Sequence, residues 1–445
     1  MVYVLNPFGQ PLMPTDDHRK VRILLKEKKA TVVRRSPFTI RLLHRTKQYV
    51  QPVTLGVDAG SKHVGVSACT PEKELFRAEL MPRNDVVDLM STRRELRRSR
   101  RNRTTRYRAP RFENRVHSKR KGWLAPSVEV KIHNHNQLIE FACKILPVSL
   151  IRIETAEFDL QRLKAMEEGK PLPEGEDYQH GEMYDQYNVR QYVLFRDNYS
   201  CQCCGAHPTD KKPVKLHVHH KESRKVGGDA PNNLITLCED CHDLLHKGIV
   251  ELPDDKKRRG KSTRDVTFMG IMRKTLLQRL RDKMGIPIQN TYGYITKAIR
   301  EANGIEKTHT SDARCIARCP KAKLAAEEYL IKPVRRHNRR LHKNAILKGG
   351  YRKANQAPTF VFGFKLFDMV DYNGEECFVY GRRSSGSFDV RHLDGKKVSA
   401  GVSYKRIRLL EHPNNLLFES LLIKSQEKNK KCSLDIKNRL PFWPA

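Results

Sequence analysis

Two apolar runs along the chain each end on a single acidic residue. The first, "VTLGVDAG" (53–60), places Asp58 directly after a strand-like segment, and Gly60 then suits a tight turn back into a second apolar run. The second, "VSLIRIE" (148–154), ends on Glu154. Short apolar runs rich in β-branched residues predict buried strands. A single acidic residue after a strand is most often a turn former. Each carboxylate therefore indicates a functional site only if other site residues lie near it.

Two helical patterns accompany these strands. Residues 128–146 carry apolar residues on one broad side, and Pro147 ends the pattern. We expect His133 and His135 to lie on the surface of this helix or to contact RNA. A second helix is predicted over 310–319, stopped by Pro320. It carries Asp312, and since His309 lies three positions earlier, the two side chains share a face.

The remaining pattern divides the chain into modules. The first 50 residues predict a small unit with a helix over 16–29, capped by Thr15. Short alternating strands with glycine turns over 358–410 suggest a small β-barrel. The stretch 165–185 is acidic and rich in Gly and Pro, which is typical of a linker. The predicted boundaries are 1–52 (N-terminal module), 53–82, 128–165 and 264–330 (three pieces of one α/β core), 83–127 (arginine-rich helix), 166–185 and 251–263 (linkers), 186–250 (cysteine and histidine module), 331–357 (basic connection), 358–424 (β-rich domain) and 425–445 (flexible tail).

Charge narrows the class of partner. The 445 residues, enough for about three domains, include 86 Lys and Arg against 50 Asp and Glu, a net charge of +36. Such an excess favours binding a polyanion, usually nucleic acid. No apolar run approaches the roughly 20 residues of a membrane span, and the N-terminus lacks a signal-peptide pattern. We expect no membrane partner and a cytoplasmic location.

Paired cysteines predict a metal site. "CQCC" (201–204) and "CEDC" (238–241) supply Cys201, Cys204, Cys238 and Cys241, the four soft ligands that tetrahedral structural zinc requires. Cys203 leaves the choice within the first pair open. A redox role is the alternative, but two spaced pairs indicate zinc more strongly than one pair indicates redox chemistry.

The residues between and after these pairs, "LHVHHKESRKVGGDAPNNLITLCEDCHDLLH" (216–246), resemble an HNH nuclease, whose fold is a ββα-metal finger. The resemblance implies that His219 and His242, with His246 left open, bind a divalent ion. It implies that His220 is the general base and that Asn233 orients the histidine loop. A neutral imidazole can deprotonate water near pH 7 beside a metal-bound phosphate. The alternative is that these histidines serve a purely structural zinc module.

The order of segments adds a second resemblance. "GVDAG" (56–60), "IRIE" (151–154) and "HTSDA" (309–313) resemble the three pieces of a RuvC nuclease, with an HNH domain between the last two. This arrangement, together with "PLMP" (11–14) and "GWLAPS" (122–127), resembles the IscB family of transposon-encoded RNA-guided nucleases. The resemblance implies that Asp58, Glu154, His309 and Asp312 form the RuvC catalytic set, with the three carboxylates holding two Mg²⁺ ions.

An arginine-rich run lies between the first two pieces. It has no apolar stripe wide enough to pack on a core, and like charges four residues apart each cost about 0.2–0.5 kcal/mol in an isolated helix. The run should therefore form a stable helix only when phosphates surround it, as a bridge helix on guide RNA and heteroduplex. The predicted nucleic-acid-binding residues are Arg93, Arg94, Arg97, Arg98, Arg100, Arg101, Arg103, Arg106 and Arg108.

The predicted fold is an α/β multidomain protein. An RNase H-like (RuvC) mixed-sheet core is split by the bridge helix and an inserted ββα-metal HNH domain, between a small N-terminal module and a C-terminal β-rich domain. The resemblance implies an RNA-guided DNA endonuclease with two Mg²⁺ in the RuvC site, one in the HNH site and a structural Zn²⁺. The implied partners are a structured guide RNA (omega RNA) and double-stranded target DNA, in a monomeric, nucleoid-associated ribonucleoprotein of a prokaryotic cell.

Three other functions stay open on the residues alone. The first is a protein-guided HNH endonuclease with a RuvC-like part that only binds nucleic acid. The second is an actin-like or sugar-kinase-like ATPase, because "DAGSKHVG" (58–65) also resembles a phosphate-binding loop; we find no second phosphate loop. The third is a non-cutting RNA-binding protein.

Overall fold

The structure is a computed structural model. Its helices are α1 (His18–Lys26), α2 (Val86–Arg101), α3 (Pro126–Ile145), α4 (Val189–Arg196), α5 (Glu239–His246), α6 (Asp254–Lys257), α7 (Arg264–Met284), α8 (Gly293–Ala302) and α9 (His309–Ile316). The described residues are 1–47, 49–101, 120, 122–154, 171, 189–208, 214–223, 226, 228–257, 264–335 and 358–422.

Seventeen strands are assigned within these ranges. The strands of the N-terminal module and of the cysteine and histidine module are short, whereas those of the main sheet reach seven residues. The strands are β1 (Tyr3–Leu5), β2 (Ala30–Arg34), β3 (Thr39–Leu42), β4 (Val53–Ala59), β5 (Val64–Cys69), β6 (Glu74–Leu80), β7 (Val148–Glu154), β8 (Leu216–His220), β9 (Leu234–Cys238), β10 (Ile288–Thr291), β11 (Glu327–Pro333), β12 (Met369–Tyr372), β13 (Glu375–Arg382), β14 (Ser387–Arg391), β15 (Lys397–Ser403), β16 (Arg408–Glu411) and β17 (Leu416–Leu422).

The main sheet has seven strands in the order β10-β7-β4-β5-β6-β11-β17. Strands β10, β7 and β4 run parallel, β5 and β6 continue as an antiparallel meander from β4, and β11 is parallel to β6. The sheet is therefore mixed, and it gathers strands from four separated parts of the chain. A mixed α/β multidomain protein is the predicted class.

Alternation along β4 assigns its two faces. Val53, Leu55 and Val57 belong to the main hydrophobic core, which α3 and α7 cover with residues such as Ile139 and Met272. The opposite face, which carries Asp58, packs against α9. A Cβ on Gly56 or on Gly65 of β5 would collide with the α9 backbone. Glycine at these two positions lets α9 lie directly on the strands.

Helix bounds differ in detail from the predicted ones. Asp17, not Thr15, caps α1, because the Asp17 carboxylate accepts a hydrogen bond from the Lys20 N–H at 2.9 Å. Helix α9 begins at His309 and ends at Ile316, earlier than predicted, since Arg318 takes the left-handed conformation (φ 64°) two residues before Pro320.

His135 corrects a prediction. It is fully buried on α3, where its Nε2 lies 3.0 Å from the Gly60 carbonyl oxygen and its Nδ1 lies 2.7 Å from that of Lys131. It is neither a surface residue nor available to RNA. It ties α3 to the turn that follows Asp58.

The C-terminal region forms a five-stranded antiparallel sheet in the order β15-β14-β13-β12-β16. Within the described residues β15 and β16 do not pair, so this sheet is open where a small β-barrel was predicted. Strand β17 pairs with β11 of the main sheet, so residues 416–422 leave the predicted 358–424 domain and join the core. In the described part of the chain, no helix is long and apolar enough to cross a membrane.

Candidate active sites

The first candidate site lies at one end of the main sheet. Asp58 on β4 and Glu154 on β7 are direct neighbours in the parallel register, and Thr291 of β10 is the next neighbour of Glu154. Parallel strands bring their carboxyl ends to one edge. Both predicted carboxylates therefore share that edge.

Helix α9 adds the third segment. Its N-terminus is fixed by Thr308, whose hydroxyl oxygen accepts a hydrogen bond from the Ser311 N–H at 3.0 Å. His309 and Asp312 lie in the first turn. The His309 Nδ1 is 2.7 Å from the Asp58 Oδ2, although the two residues are 251 positions apart in the chain. The four predicted residues thus come from three separated segments and face one another.

Two partners of the carboxylates were not predicted. Both come from α8: Thr296 donates its hydroxyl to the Glu154 carboxylate, and the Arg300 Nε lies 3.1 Å from the Asp312 Oδ1. No motif marks these residues. Their position four apart, on one face of a helix that follows β10, was the available signal.

Burial and mutual repulsion shift the titration of this group. Desolvation and the charges of Asp58 and Asp312 raise the pKa of Glu154 above its ordinary value. Desolvation and the Asp58 charge likewise raise the pKa of Asp312. The hydrogen bond to Asp58 raises the pKa of His309. Carboxylates forced together in this way are stabilised by positive charge.

The donor set fits divalent metal ions. Oxygen ligands suit Mg²⁺, and the buried Asp312 Oδ1, despite its ion pair with Arg300, makes no well-directed hydrogen bond. Asp58, Glu154 and Asp312 are not among the groups of the described residues whose ligand atoms all lie within 4.8 Å. Each carboxylate instead has a protein partner: His309 for Asp58, Thr296 for Glu154 and Arg300 for Asp312. Metal ions would have to replace these partners.

A second imidazole flanks the same site. The His63 ring stacks on His309, with ring centroids 5.2 Å apart and planes 6° apart. The Glu79 Oε1 holds the His63 Nδ1 at 2.6 Å. This carboxylate–imidazole pair lies beside the Asp58–His309 pair and was not predicted, because it depends on the register between β5 and β6.

The second candidate site is built on β8, β9 and α5. The two strands pair antiparallel, and α5 follows β9 directly. His219, His242 and His246 bring ligand nitrogens within 4.8 Å of one another. The Nε2 atoms of His242 and His246, one helical turn apart, are separated by 3.3 Å. His246, left open by the sequence, thus lies in the cluster.

Electrostatics keep the His219 member of this cluster neutral. Desolvation, with the neighbouring charges of His246 and His242, lowers the pKa of His219 to about 4. An imidazole that stays neutral at pH 7 is the form that binds a metal ion. The His217 ring also stacks on His242 with centroids 5.2 Å apart. His217 was not predicted as a site residue, although its alternation with His219 along β8 places both on one face.

The loop after β8 is held by Asn233. This fully buried side chain accepts a hydrogen bond from the Glu222 N–H at 2.9 Å and donates to the carbonyl oxygens of Glu222 (3.1 Å) and Gly228 (3.0 Å). The loop includes Asp229, whose Oδ1 lies 3.0 Å from the His220 Nε2. The His220 Nδ1 is thereby the ring nitrogen left to exchange a proton.

The four predicted cysteines converge beside this unit. Cys201, Cys204, Cys238 and Cys241 bring their sulfur atoms within 4.8 Å of one another, and Cys203 is not part of the group. Four thiolates at this spacing could hold zinc. Cys203 instead packs against the small hydrophobic cluster of this domain, so the geometry favours Cys204 as the ligand from the first pair.

The described part of the arginine-rich run is helical. In α2, Arg93, Arg94, Arg97 and Arg98 are exposed. Helix α2 includes Arg100 and ends at Arg101, and the predicted residues Arg103, Arg106 and Arg108 lie outside the described residues.

Comparison with known proteins identifies two parts of the chain. Residues 2–181 match the family model described as "RRXRR protein", and residues 201–248 match "HNH endonuclease". No curated protein matches the chain.

Solved structures give a weaker similarity. Streptococcus thermophilus Cas9 in complex with the GGAA PAM is 14% identical over 43% of this chain and 26% of that protein, with a TM-score of 0.28. The Type II-C Cas9 enzyme from Actinomyces naeslundii is 16% identical over 46% of this chain and 30% of that protein, with a TM-score of 0.14. The chain thus spans about a quarter of the length of the structures it matches.

Proposed function

We propose that this chain is an IscB-like RuvC/HNH nuclease that cuts double-stranded DNA under the direction of a structured guide RNA. The observation that carries the proposal is the presence of two separate candidate centres in one chain. One is the carboxylate group of the main sheet, and the other is the histidine cluster on β8 and α5. Two centres in one chain would let each DNA strand be cut at its own site.

At the carboxylate centre, Asp58, Glu154 and Asp312 would hold Mg²⁺ in an RNase H-like arrangement. Bound Mg²⁺ supplies an activated water and stabilises the leaving oxygen. His309 lies 2.7 Å from Asp58, and once Mg²⁺ replaced it as the partner of Asp58 its imidazole would be free to move a proton at the scissile phosphate. We assign this RuvC centre to the displaced strand.

At the histidine centre, His219, His242 and His246 would hold one further divalent ion. Asp229 fixes the His220 ring by its Nε2 at 3.0 Å, so the Nδ1 can accept a proton from the attacking water. Asn233 holds the loop that carries Asp229. We assign this HNH centre to the strand that pairs with the guide.

RNA guidance rests on charge and on the arginine helix. The net charge of +36 favours binding to a polyanion. The arginine-rich part of α2 is exposed and offers no apolar stripe on which a protein partner could pack. Contacts from arginine side chains to the sugar–phosphate backbone recognise the shape of an RNA–DNA heteroduplex, whereas its sequence is recognised by base pairing with the guide. We infer a ribonucleoprotein in which RNA supplies much of the scaffold.

RNA dependence can be tested directly. The protein is purified from its native host, its bound RNA is sequenced, and cleavage of a matching plasmid is measured before and after ribonuclease treatment. We expect one discrete structured RNA, loss of cutting after treatment and recovery when that RNA is added back. Cutting that persists without RNA would contradict the proposal and favour a protein-guided HNH endonuclease.

A further inference from the structure

A pair of thiols lies at the opposite end of the main sheet from Asp58. Cys69 is the last residue of β5 and pairs in register with Thr54, at the start of β4, whereas Asp58 pairs with Gly65. Cys319 follows the end of α9. The Cys69 and Cys319 thiols are close enough to shift each other's pKa, and the Cys319 thiol donates a hydrogen bond to the Ala317 carbonyl oxygen at 3.5 Å. Neither belongs to the zinc cluster or to any nuclease centre described above.

Both thiols line one cavity of about 380 Å³. Three cations line the same cavity, and no carboxylate does: the cations are Arg152, Arg318 and Lys321. The Arg152 guanidinium is fixed by the Gln289 Oε1 at 3.0 Å and by the Ala317 carbonyl oxygen at 3.2 Å. A thiol in such surroundings faces a preformed positive field, and the cavity gives a small reagent access to it.

The two thiols differ in environment. Cys69 is 1% exposed, and its sulfur also lies 3.2 Å from the Ser67 hydroxyl. Cys319 is half-buried. The neighbouring Cys69 thiol and the charge of Arg152 lower the pKa of Cys319 to about 7. The Cys319 thiol and burial raise the pKa of Cys69. Cys319 is thus the more acidic of the two thiols.

We propose that Cys319 is a peroxide-reactive thiol and that Cys69 resolves its oxidation product to a disulfide. The Cys319 sulfur attacks one oxygen of hydrogen peroxide, and the O–O bond breaks. Sulfur is oxidised to a sulfenic acid, while the departing hydroxide carries the reduced oxygen. The Cys69 sulfur then attacks the sulfenic sulfur, the S–O bond breaks, and hydroxide leaves with the Cys69 proton as water.

The chain contains its own controls. Burial raises the pKa of both Cys143 and Cys377 to about 12. Neither residue lines the cation-lined cavity, so they report the behaviour of thiols outside its positive field. Cys143→Ser is the matched control variant for Cys319→Ser.

The first experiment measures alkylation. Full-length protein with its zinc intact is treated with limiting iodoacetamide at pH 7, and each cysteine is quantified by peptide mass spectrometry. We expect Cys319 to react at least roughly tenfold faster than Cys143 or Cys377. Equal rates at the three positions would overturn the proposal, whatever the nuclease activity of the chain proves to be.

The second experiment uses hydrogen peroxide. We expect a Cys69–Cys319 cross-linked peptide in the wild type and in Cys143→Ser, removed by dithiothreitol and absent in Cys319→Ser. In Cys69→Ser, dimedone should trap a sulfenic acid at Cys319. Absence of both the cross-link and the dimedone adduct would overturn the assignment. If Cys69→Ser fails to fold, the wild-type cross-link and the alkylation rates still decide it.

Discussion

The two candidate nuclease centres are built over very different lengths of chain. The HNH centre takes its histidines and Asn233 from residues 216–246, on two short strands and one helix. The RuvC centre joins Asp58 to His309 across 251 positions and needs the whole mixed sheet. The HNH centre is local in sequence, and bound metal can stabilise it. The RuvC centre forms only when the core has folded. Substitutions in the core should therefore impair the RuvC cut, and substitutions in residues 201–248 should impair the HNH cut.

The largest effect should come from the glycines beneath α9. Gly65→Ala places a methyl group against the His309 backbone, which cannot move without displacing the helix. We expect the core to lose about 3 kcal/mol of stability, the upper end of the usual cost of overpacking, and the RuvC cut to be lost. Thermal unfolding and strand-specific cleavage measure both effects. Gly401→Ala, where the methyl group meets only ordinary contact, is the control. Equal stability of the two variants would refute the close packing of α9.

The zinc cluster provides the reciprocal test. Cys201→Ser removes one of the four converging thiolates, whereas Cys203→Ser changes a neighbour outside the cluster. We expect Cys201→Ser to lose close to one equivalent of zinc, measured by atomic emission, and to lose the HNH cut while the RuvC cut persists. Equal zinc content in the two variants would show that the cluster does not hold zinc.

Asn233 should give an intermediate effect on the same side of the comparison. Asn233→Ala leaves a buried N–H and two carbonyl oxygens without their partner. Each such group costs about 1–3 kcal/mol, so the loop with Asp229 should loosen and the HNH cut should slow. Asn303→Ala, outside the finger, is the comparison variant. Single-turnover cleavage of each strand is the measurement. A slower RuvC cut with an unchanged HNH cut would contradict the local role of Asn233.

The smallest effect should come from single arginines of α2. Arg97→Ala removes one exposed cation, and we expect guide RNA binding to weaken with the logarithmic salt slope reduced by about 1. The binding isotherm at several salt concentrations measures this slope. Both strand cuts should fall together, since α2 serves neither centre alone. A change confined to one strand would assign Arg97 to that centre, and Arg281→Ala on α7 serves as the surface control.

What the sequence could predict follows the same division. Asp58 and Glu154 were accessible because each ends an apolar run, and the HNH residues were accessible because they lie within one short stretch. Thr296, Arg300 and the His63–Glu79 pair were not, because their roles depend on strand register and helix placement. His135 was misassigned although it falls on the apolar stripe between Ile132 and Leu138. A polar residue on such a stripe signals a buried hydrogen bond.

Some domain boundaries could not be predicted from the sequence either. Strand β17 looks like the end of the C-terminal β-rich region, but it pairs with β11 in the main sheet. Pairing between strands far apart in sequence leaves no mark on the local alternation of either strand. Strands β15 and β16, which do not pair with each other within the described residues, illustrate the same limit, since the local pattern of a strand does not show which strand pairs with it to close a barrel.

The central claim is that two independent centres each cut one strand. The direct measurement supplies the protein with its own RNA and a matching supercoiled plasmid, and maps nicks on each strand for Asp58→Ala, His220→Ala and the surface control Asp282→Ala. The account predicts that Asp58→Ala nicks only the guide-paired strand and His220→Ala only the displaced strand, each missing cut being slowed by roughly 10²-fold or more. The control should cut both strands. Cutting of both strands by either Asp58→Ala or His220→Ala would contradict the account.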